Sequence, residues 1–279
     1  MKKGPFCAIE GTPPVPIVDH EMGNFVSWPL LEDQISRFQH NIKPYWLTPP
    51  LSKVKENGLL DENALWSRVS NRLYLFCWKD KLEALRKTEK VSGNEWWLLQ
   101  DFWTGANGIL DTYYVSKHPD SELDEIRSMN AAVQILIAEP ADNLPISVNA
   151  SRLQRAYSSR DTLNTSLHIS NYGTAGAIPA GTQLTWSVTG TAADGSNKTL
   201  CQNTAPTPEV PQGPGTTQVT SLLCQLPDLG AAPQSPLTLT IAAHLQLKSG
   251  GAVSNNWRSR LFAAVPAPAN ISSVKRLKL

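Results

Sequence analysis

Two short apolar segments of this chain each run directly into polar side chains that could do chemistry. Residues 15–18 are apolar and are followed by Asp19, His20 and Glu21, and then by Gly23. A carboxylate at such a position can act as a nucleophile or as a general acid or base, and an adjacent imidazole can orient it. The alternative is that Glu21 forms a structural ion pair at the end of a strand.

The second segment, residues 96–99, opens into Gln100, Asp101, Trp103 and Asn107. Four consecutive apolar residues predict a short strand that is buried on both faces. The groups after it could contact a ligand by hydrogen bonding and by stacking. Equally, each of them could serve only to fix the loop or to fill the core.

The sequence between these two segments is mostly helical. One apolar stripe, which ends at Pro44, predicts a first helix and consists of Leu31, Ile35, Phe38 and Ile42. A longer helix is predicted after Asp61, which can cap it. Its predicted inner face consists of Leu65, Val69, Leu73 and Phe76. A strand, helices and a strand in this order predict two parallel neighbouring strands joined by a right-handed crossover, with their polar groups at one edge.

The second half of the chain has the character of an all-β domain. An exposed connector is expected at 117–127, and a strand is expected at 133–137. Beyond it the composition shifts to Ser, Thr, Ala, Gly and Pro. Apolar residues alternate at 184, 186 and 188 and again at 237, 239 and 241. This pattern predicts a sandwich of antiparallel sheets, and hence two domains, 1–128 and 129–279.

Several of these segments resemble glycoside hydrolase family 2. Residues 15–24 look like its seventh barrel strand, in which a Glu followed one residue later by Gly is the catalytic nucleophile. Here that Glu is Glu21. Residues 93–102, with 107–111 after them, are similar to its eighth strand and the loop beyond. The positions that resemble its immunoglobulin-like β-sandwich are 171–173, Trp186 and 255–257.

The resemblance implies a fold of the α/β plus all-β class. Residues 1–128 would form the last two strand-helix units of a partial (β/α)8 TIM barrel, and residues 129–279 an immunoglobulin-like antiparallel β-sandwich. A full barrel needs about 250 residues, whereas only about 115 precede the connector. We therefore expect this chain to be the C-terminal portion of a larger hydrolase. Its expected partner is the missing N-terminal part of the same enzyme.

The activity implied by the resemblance is the hydrolysis of O-glycosidic bonds in a carbohydrate substrate with retention of configuration, with Glu21 as the nucleophile. The expected substrate contacts are His20, Gln100, Asp101, Trp103 and Asn107. The family's general acid precedes its nucleophile in the chain. Glu95 follows Glu21 and enters its strand, so we expect Glu95 to lie on the barrel face opposite the site. The chain alone would then be a weak catalyst or inactive.

Composition argues against several other classes of function. The formal net charge of +1 gives no electrostatic support for binding nucleic acid or an anionic membrane. No apolar run is long enough to span a bilayer, and no Gly-rich phosphate loop occurs. The pair His20 and Glu21 does not continue as a zinc-protease motif, because residue 24 is Asn. We expect no metal and no cofactor.

Sequons and cysteines bear on the location of the protein. Asn-x-Ser/Thr sequons favour an extracellular, lysosomal or other secretory location and occur at Asn149, Asn164, Asn197 and Asn270. Cys201 and Cys224 flank a Pro-rich stretch, and either a disulfide closes this loop or both thiols are free.

A function of another class also fits this sequence. The chain could be a non-catalytic carbohydrate-binding or cell-surface interaction protein derived from such an enzyme. The sandwich would then do the binding, and the first half would be a remnant.

Overall fold

A computed structural model of the chain describes residues 15–22, 25–39, 41, 43–88, 91–103, 105–138, 156–230, 236–248 and 250–263. The chain divides into two compact units, Met1–Ala132 and Val133–Leu279, and each is described by itself. Within the described residues, no helix combines the length and the apolar character that crossing a membrane requires.

The first unit contains two short strands and four helices among its described residues. In chain order these are β1 (Val18–Met22), α1 (Leu31–Arg37), α2 (Thr48–Glu56), α3 (Asn63–Arg86), β2 (Gly93–Trp96) and α4 (Asp120–Met129), with a 3-10 turn at Leu60–Glu62. Helix α4 lies in the segment that was predicted to be an exposed connector. That prediction is therefore wrong for most of this segment.

Strands β1 and β2 pair in parallel, as predicted, but they lie at 18–22 and 93–96 rather than at 15–18 and 96–99. The segment 96–99 is not buried on both faces, because Leu99 is 64% exposed. Val18 lies opposite Gly93 and Met22 opposite Trp96. The Trp97 amide continues the pairing by donating to the Met22 carbonyl at 3.2 Å. Both carboxyl ends therefore lie at the same edge, where the candidate residues follow.

The long helix α3 buries a different face from the predicted one. Leu65, Val69 and Leu73, predicted to point inward, are 42%, 56% and 59% exposed. The core instead contains Tyr74 and Trp78, which are almost fully buried and present larger apolar surfaces. Polar side chains share this buried face and mask its pattern in the sequence; they are Asn63, Ser67 and Asn71.

Helix α1 is shorter than its apolar stripe predicts. It ends at Arg37, and Phe38 is already extended with ψ of 111°. Ile42, the last member of the stripe, lies outside the described residues. Leu31, at the start of α1, is fully buried and packs in a small core with Leu47 and Val54.

The regular elements in the described part of the second unit are all strands. They are β3 (Val133–Ala138), β4 (Ala156–Ser158), β5 (Thr162–Asn171), β6 (Gln183–Thr191), β7 (Asn197–Pro206), β8 (Gly213–Gln225), β9 (Leu237–Gln246) and β10 (Ala252–Phe262). Five form a sheet in the order β4-β10-β9-β6-β7, and three form a sheet in the order β3-β5-β8. All neighbours are antiparallel except β4 and β10.

One hydrophobic core is shared by both sheets of the second unit. The alternation predicted in β6 is confirmed, because Leu184, Trp186 and Val188 are all buried. Leu167 and Ile169 of β5 enter the same core from the other sheet. Apolar side chains on one face of each strand thus hold the two sheets together.

The fold class predicted for the whole chain, α/β plus all-β with a partial (β/α)8 barrel, is wrong. The described residues are 24% helical and 40% strand, their sheets are open, and they contain no partial barrel. Among the described residues of the first unit, β1 and β2 form a sheet of two strands, which is too few to close into a barrel. The architecture is therefore described by the strand orders given above, and neither the partial barrel nor the immunoglobulin-like sandwich is used as its name.

Cys201 and Cys224 form a disulfide, which decides between the two alternatives that the sequence left open. Cys201 lies on β7 and Cys224 on β8, and each strand is at the edge of its sheet. The bond therefore links the two sheets along one side.

Removing this disulfide should destabilise the second unit. The two cysteines are 23 residues apart, so the Cys201→Ser/Cys224→Ser variant should lose about 3 kcal/mol of unfolding free energy through the freer unfolded chain. Urea unfolding measures this loss. A reducing agent should lower the stability of the parent protein and leave the double variant unchanged. Equal sensitivity of both proteins would contradict the assignment.

Candidate functional site

Glu21 has an unusual backbone conformation at the carboxyl end of β1. Its φ is +51° and its side chain is exposed. The pairing of β1 with β2 is irregular between Asp19 and Met22, which spans this residue. A non-glycine residue in the left-handed region costs free energy, and such residues persist where their surroundings fix them, commonly at functional sites.

His20 contacts Glu95 across the two parallel strands. The distance from Nε2 to a carboxylate oxygen is 3.2 Å, and the two side chains are 70% and 60% exposed. Glu95 was expected on the far face of a barrel. Since no barrel is present, that argument fails, and Glu95 instead lies beside a candidate site residue.

The loops that follow β1 and β2 meet around a buried ammonium group. Lys117 Nζ is 2.7 Å from Asp101 Oδ1, 2.9 Å from Ser27 Oγ and 3.4 Å from the Ala106 carbonyl. Its side chain is only 7% exposed, although the sequence predicted it to be in an exposed connector. We call Ser27, Asp101, Ala106 and Lys117 the lysine clamp.

Burial governs the electrostatics of the lysine clamp. Asp101 is 3% exposed, and desolvation raises the pKa of its carboxyl, while Lys117 opposes part of that rise. Desolvation likewise lowers the pKa of Lys117, and Asp101 opposes it. The Gly108 amide donates to the same Asp101 oxygen at 2.7 Å. The ion pair is therefore held by several hydrogen bonds in a dry environment.

Gly108 allows the loop to close this tightly. A Cβ atom at this position would lie 2.2 Å from the carbonyl carbon of Gln100 and 2.4 Å from the Asp101 nitrogen. Both are backbone atoms and cannot rotate away. Only glycine fits here, so the loop after β2 depends on this residue to bring its amide to Asp101.

Asn107 connects the same loop to two other elements. Its side-chain amide donates to the Phe25 carbonyl at 2.9 Å, and its backbone carbonyl accepts a hydrogen bond from the Tyr74 hydroxyl. Asn107 is 2% exposed. Gln100, partly buried, forms a parallel bridge with Leu110 in the same loop. The contacts of Asp101 and Asn107 are those of residues that fix a loop.

Trp103 is the candidate side chain that is presented to solvent beside a second aromatic ring. It is 53% exposed, and its ring centroid lies 6.0 Å from that of Tyr45, which is 62% exposed. Two exposed rings so close together provide apolar faces on which a ligand can stack. Tyr45 was not predicted, because it stands in an irregular stretch with no periodic pattern.

Four hydrogen bonds join the loop that follows β1 to the chain that follows β2. The Ser27 amide and hydroxyl both donate to the Ala106 carbonyl, at 2.9 and 3.0 Å, in addition to the Asn107–Phe25 and Lys117–Ser27 contacts. The structure thus brings Asp101 and Asn107 together with the loop that follows Glu21. In the part of the chain that is described, no cluster of His, Cys, Asp or Glu could hold a metal ion.

His118, next to Lys117, is a buried histidine that sequence reasoning left unassigned. Its Nδ1 lies 2.9 Å from Glu122, and its ring stacks on Tyr74. Among the described residues its Nε2 is buried with no hydrogen-bond partner. Burial lowers the pKa of this imidazole, an effect opposed by Glu122 and reinforced by Lys117 and Arg72.

Comparisons with known proteins assign no family. No family model matches, and no curated protein matches. Spo0M, a sporulation control protein from Bacillus subtilis, is 15% identical over 48% of this chain and 51% of its own length, with a TM-score of 0.30. A beta-glucuronidase from Bacteroides uniformis is 14% identical over 46% of this chain and 13% of its own, with a TM-score of 0.26.

The alkylpurine DNA glycosylase AlkC from Pseudomonas fluorescens, bound to DNA containing an abasic site analog, is 10% identical over 52% of this chain and 36% of its own, with a TM-score of 0.26. The matched part is thus about half of Spo0M and less of the other two. Likeness at this level carries no functional argument, and membership of glycoside hydrolase family 2 stays a prediction.

The lysine clamp should behave as one coupled unit in unfolding experiments. Lys117→Met leaves the Asp101 charge buried without its partner and should cost about 3–5 kcal/mol, and Asp101→Asn should cost a similar amount. The double variant should cost less than the sum of the two. Denaturant unfolding measures all three, with the exposed residue Lys53→Met as a control that changes little. Additive losses would contradict the coupling.

Acidification should destabilise the first unit through His118. Its folded-state pKa lies below the ordinary value of 6.5, so in the interval between them the unfolded chain binds more protons. Stability therefore falls as pH drops below 6.5 toward the folded-state pKa. Urea midpoints at about pH 7 and about pH 5 should differ less in His118→Gln than in the parent. If the difference between the two midpoints were the same in His118→Gln as in the parent, the loss of stability in acid would come from other titratable groups.

Proposed function

We propose that this chain carries the nucleophile of a retaining glycoside hydrolase, and that Glu21 is that nucleophile. The observation that carries the proposal is the exposed Glu21 carboxylate on a strained backbone, with φ of +51°, at the carboxyl end of a strand. Its place in a Glu-x-Gly sequence, the basis of the resemblance to family 2, supports the same role. Strain of this kind is maintained where a side chain must be aimed.

In the proposed reaction, a Glu21 oxygen attacks the anomeric carbon of the sugar. The bond from that carbon to the leaving oxygen breaks, and a general acid gives that oxygen a proton. Water then attacks the glycosyl-enzyme ester and releases the sugar with its original configuration. The acid is not assigned, since Asp101 is buried in the lysine clamp and Glu95 contacts His20. We propose that another part of the same enzyme supplies it.

The remaining candidate residues divide into three proposed roles. Trp103, with Tyr45 beside it, stacks on the apolar face of a sugar ring, because both rings are exposed. His20 and Gln100 hydrogen-bond to sugar hydroxyls. Asp101 and Asn107 act as positioning residues, because their polar groups are already bonded to the loops that they hold.

Covalent trapping tests the nucleophile without requiring the general acid. The chain is incubated with 2-deoxy-2-fluoro glycosides that carry a good leaving group, in galactosyl, mannosyl and glucuronyl forms, because such a leaving group departs without protonation. We expect one sugar to add its mass to the protein and peptide mapping to locate it on Glu21. Glu21→Gln should abolish the labelling.

Matched variants separate the roles in this experiment. Glu95→Gln should keep the labelling, whereas Trp103→Ala should need about tenfold more reagent because a stacking contact is lost. A label on a carboxylate other than Glu21 would overturn the assignment. So would the absence of any label across the three sugar series.

A second candidate function is carbohydrate binding without catalysis by the second unit. The outer face of its five-stranded sheet has a concave polar surface. Hydroxyl, amide and imidazole groups line it across four strands; they include Thr185, Ser187, Gln202, His244, Ser254 and Asn256. His244 Nδ1 lies 2.8 Å from the Ser254 hydroxyl, which orients the ring. Such groups suit the hydroxyls of a sugar chain.

Calorimetric titration with oligosaccharides distinguishes this second function. His244→Ala/Asn256→Ala should weaken binding about tenfold or more, while the exposed Lys248→Ala should not change it. Glu21→Gln should also leave it unaltered. Binding that depends on Glu21 and Trp103 rather than on His244 would instead favour the hydrolase.

A further inference from the structure

Two independent features of the second unit indicate passage through an oxidising compartment. The first is the disulfide between Cys201 and Cys224, a bond that persists in secreted and lumenal proteins and is rare in reducing compartments. The second is a set of Asn-x-Ser/Thr sequons, two of which fall on described strands. We propose that Asn164 and Asn197 carry N-linked glycans.

Asn197 stands at the first position of β7, just after the turn that follows β6. Asn197, Lys198 and Thr199 are all exposed, so the complete sequon faces solvent. The side-chain oxygen of Asn197 accepts a hydrogen bond from the Thr191 hydroxyl at 2.6 Å. This contact uses Oδ1 and leaves Nδ2 for the glycan, so the linkage keeps the hydrogen bond and fixes the direction in which the glycan leaves.

Asn164 lies on the outer face of β5, the middle strand of the three-stranded sheet. Its neighbours along the strand, Leu163 and Thr165, are buried, whereas Asn164 itself points to solvent. Directly opposite it on β8 is Leu223, which is 62% exposed. A glycan at Asn164 would extend over this leucine and cover apolar surface that otherwise contacts water.

The modification is a group transfer from a polyprenyl diphosphate that carries an oligosaccharide. The bond between the anomeric carbon of the first sugar and the diphosphate oxygen breaks, and the diphosphate leaves with the electron pair. The asparagine Nδ2 forms the new bond to that carbon and gives one proton to a base of the transferase. The folded unit must then leave the glycan in solvent, and the exposure of both asparagines meets this condition.

Isotope labelling of the protein purified from the cells that make it tests the sites. A peptide N-glycosidase converts a glycosylated asparagine to aspartate, and in water enriched in oxygen-18 the new carboxylate carries that isotope. Mass spectrometry of the peptides should find labelled aspartate at positions 164 and 197 in most chains. Unlabelled asparagine at both positions would overturn the proposal. Unlabelled asparagine at one position would show that this position carries no glycan.

Matched variants expressed through a eukaryotic secretory pathway provide the second measurement. Thr199→Ser and Ser166→Thr keep the sequons and should keep the glycans. Thr199→Ala and Ser166→Ala destroy the sequons while both asparagines remain, and each should lower the mass of the protein by one glycan. The Cys201–Cys224 disulfide, measured in each variant, reports whether the unit has folded. Variants that fold and do not differ in mass would overturn the proposal.

Discussion

The buried ammonium group of Lys117 is the interaction on which the candidate site depends. Strands β1 and β2 share only a few backbone hydrogen bonds, so pairing alone would hold their carboxyl ends weakly. Lys117 joins the loops beyond them by contacting Ser27, Asp101 and the Ala106 carbonyl at once. Ser27 and Asp101 are almost fully buried, so removing Lys117 would leave the Asp101 charge without its cationic partner in a dry environment. The Lys117–Asp101 ion pair therefore fixes the positions of the loops more than it adds to the net free energy of folding.

The arrangement separates residues that hold the loops from residues that face a ligand. Asp101 and Asn107 are almost fully buried, and their polar groups are already bonded. Glu21 and Trp103 remain exposed at the same edge. A ligand can then bind to the exposed groups without breaking the contacts that hold them. Of the six candidates, His20 and Glu21 lie on β1 and four lie in the loop after β2, and this division separates those that hold the loop from those that are exposed.

The sequence predicted the local features of this molecule better than its architecture. The parallel pairing and the alternation in β6 followed from short patterns and are present, whereas the sequence left open whether Cys201 and Cys224 are bridged. The barrel was inferred from a resemblance of strands to a family, and strand patterns do not state how many strands will close a sheet. The face of α3 was misassigned because a regular leucine and valine stripe was read as the core, whereas large aromatic rings were buried. Lys117 could not be found, since nothing in its neighbours distinguishes a buried lysine from a solvated one.

The two sheets of the second unit are linked by different kinds of bond at their opposite edges. Cys201 and Cys224 join edge strands of the two sheets covalently. On the opposite side, β3 receives a hydrogen bond of 2.7 Å from the Asn255 amide to the Ile135 carbonyl. A covalent link cannot open thermally, whereas a hydrogen bond contributes only about 1 kcal/mol. The sulfur bridge therefore limits how far β7 and β8 can separate even while hydrogen bonds elsewhere in the unit break and re-form.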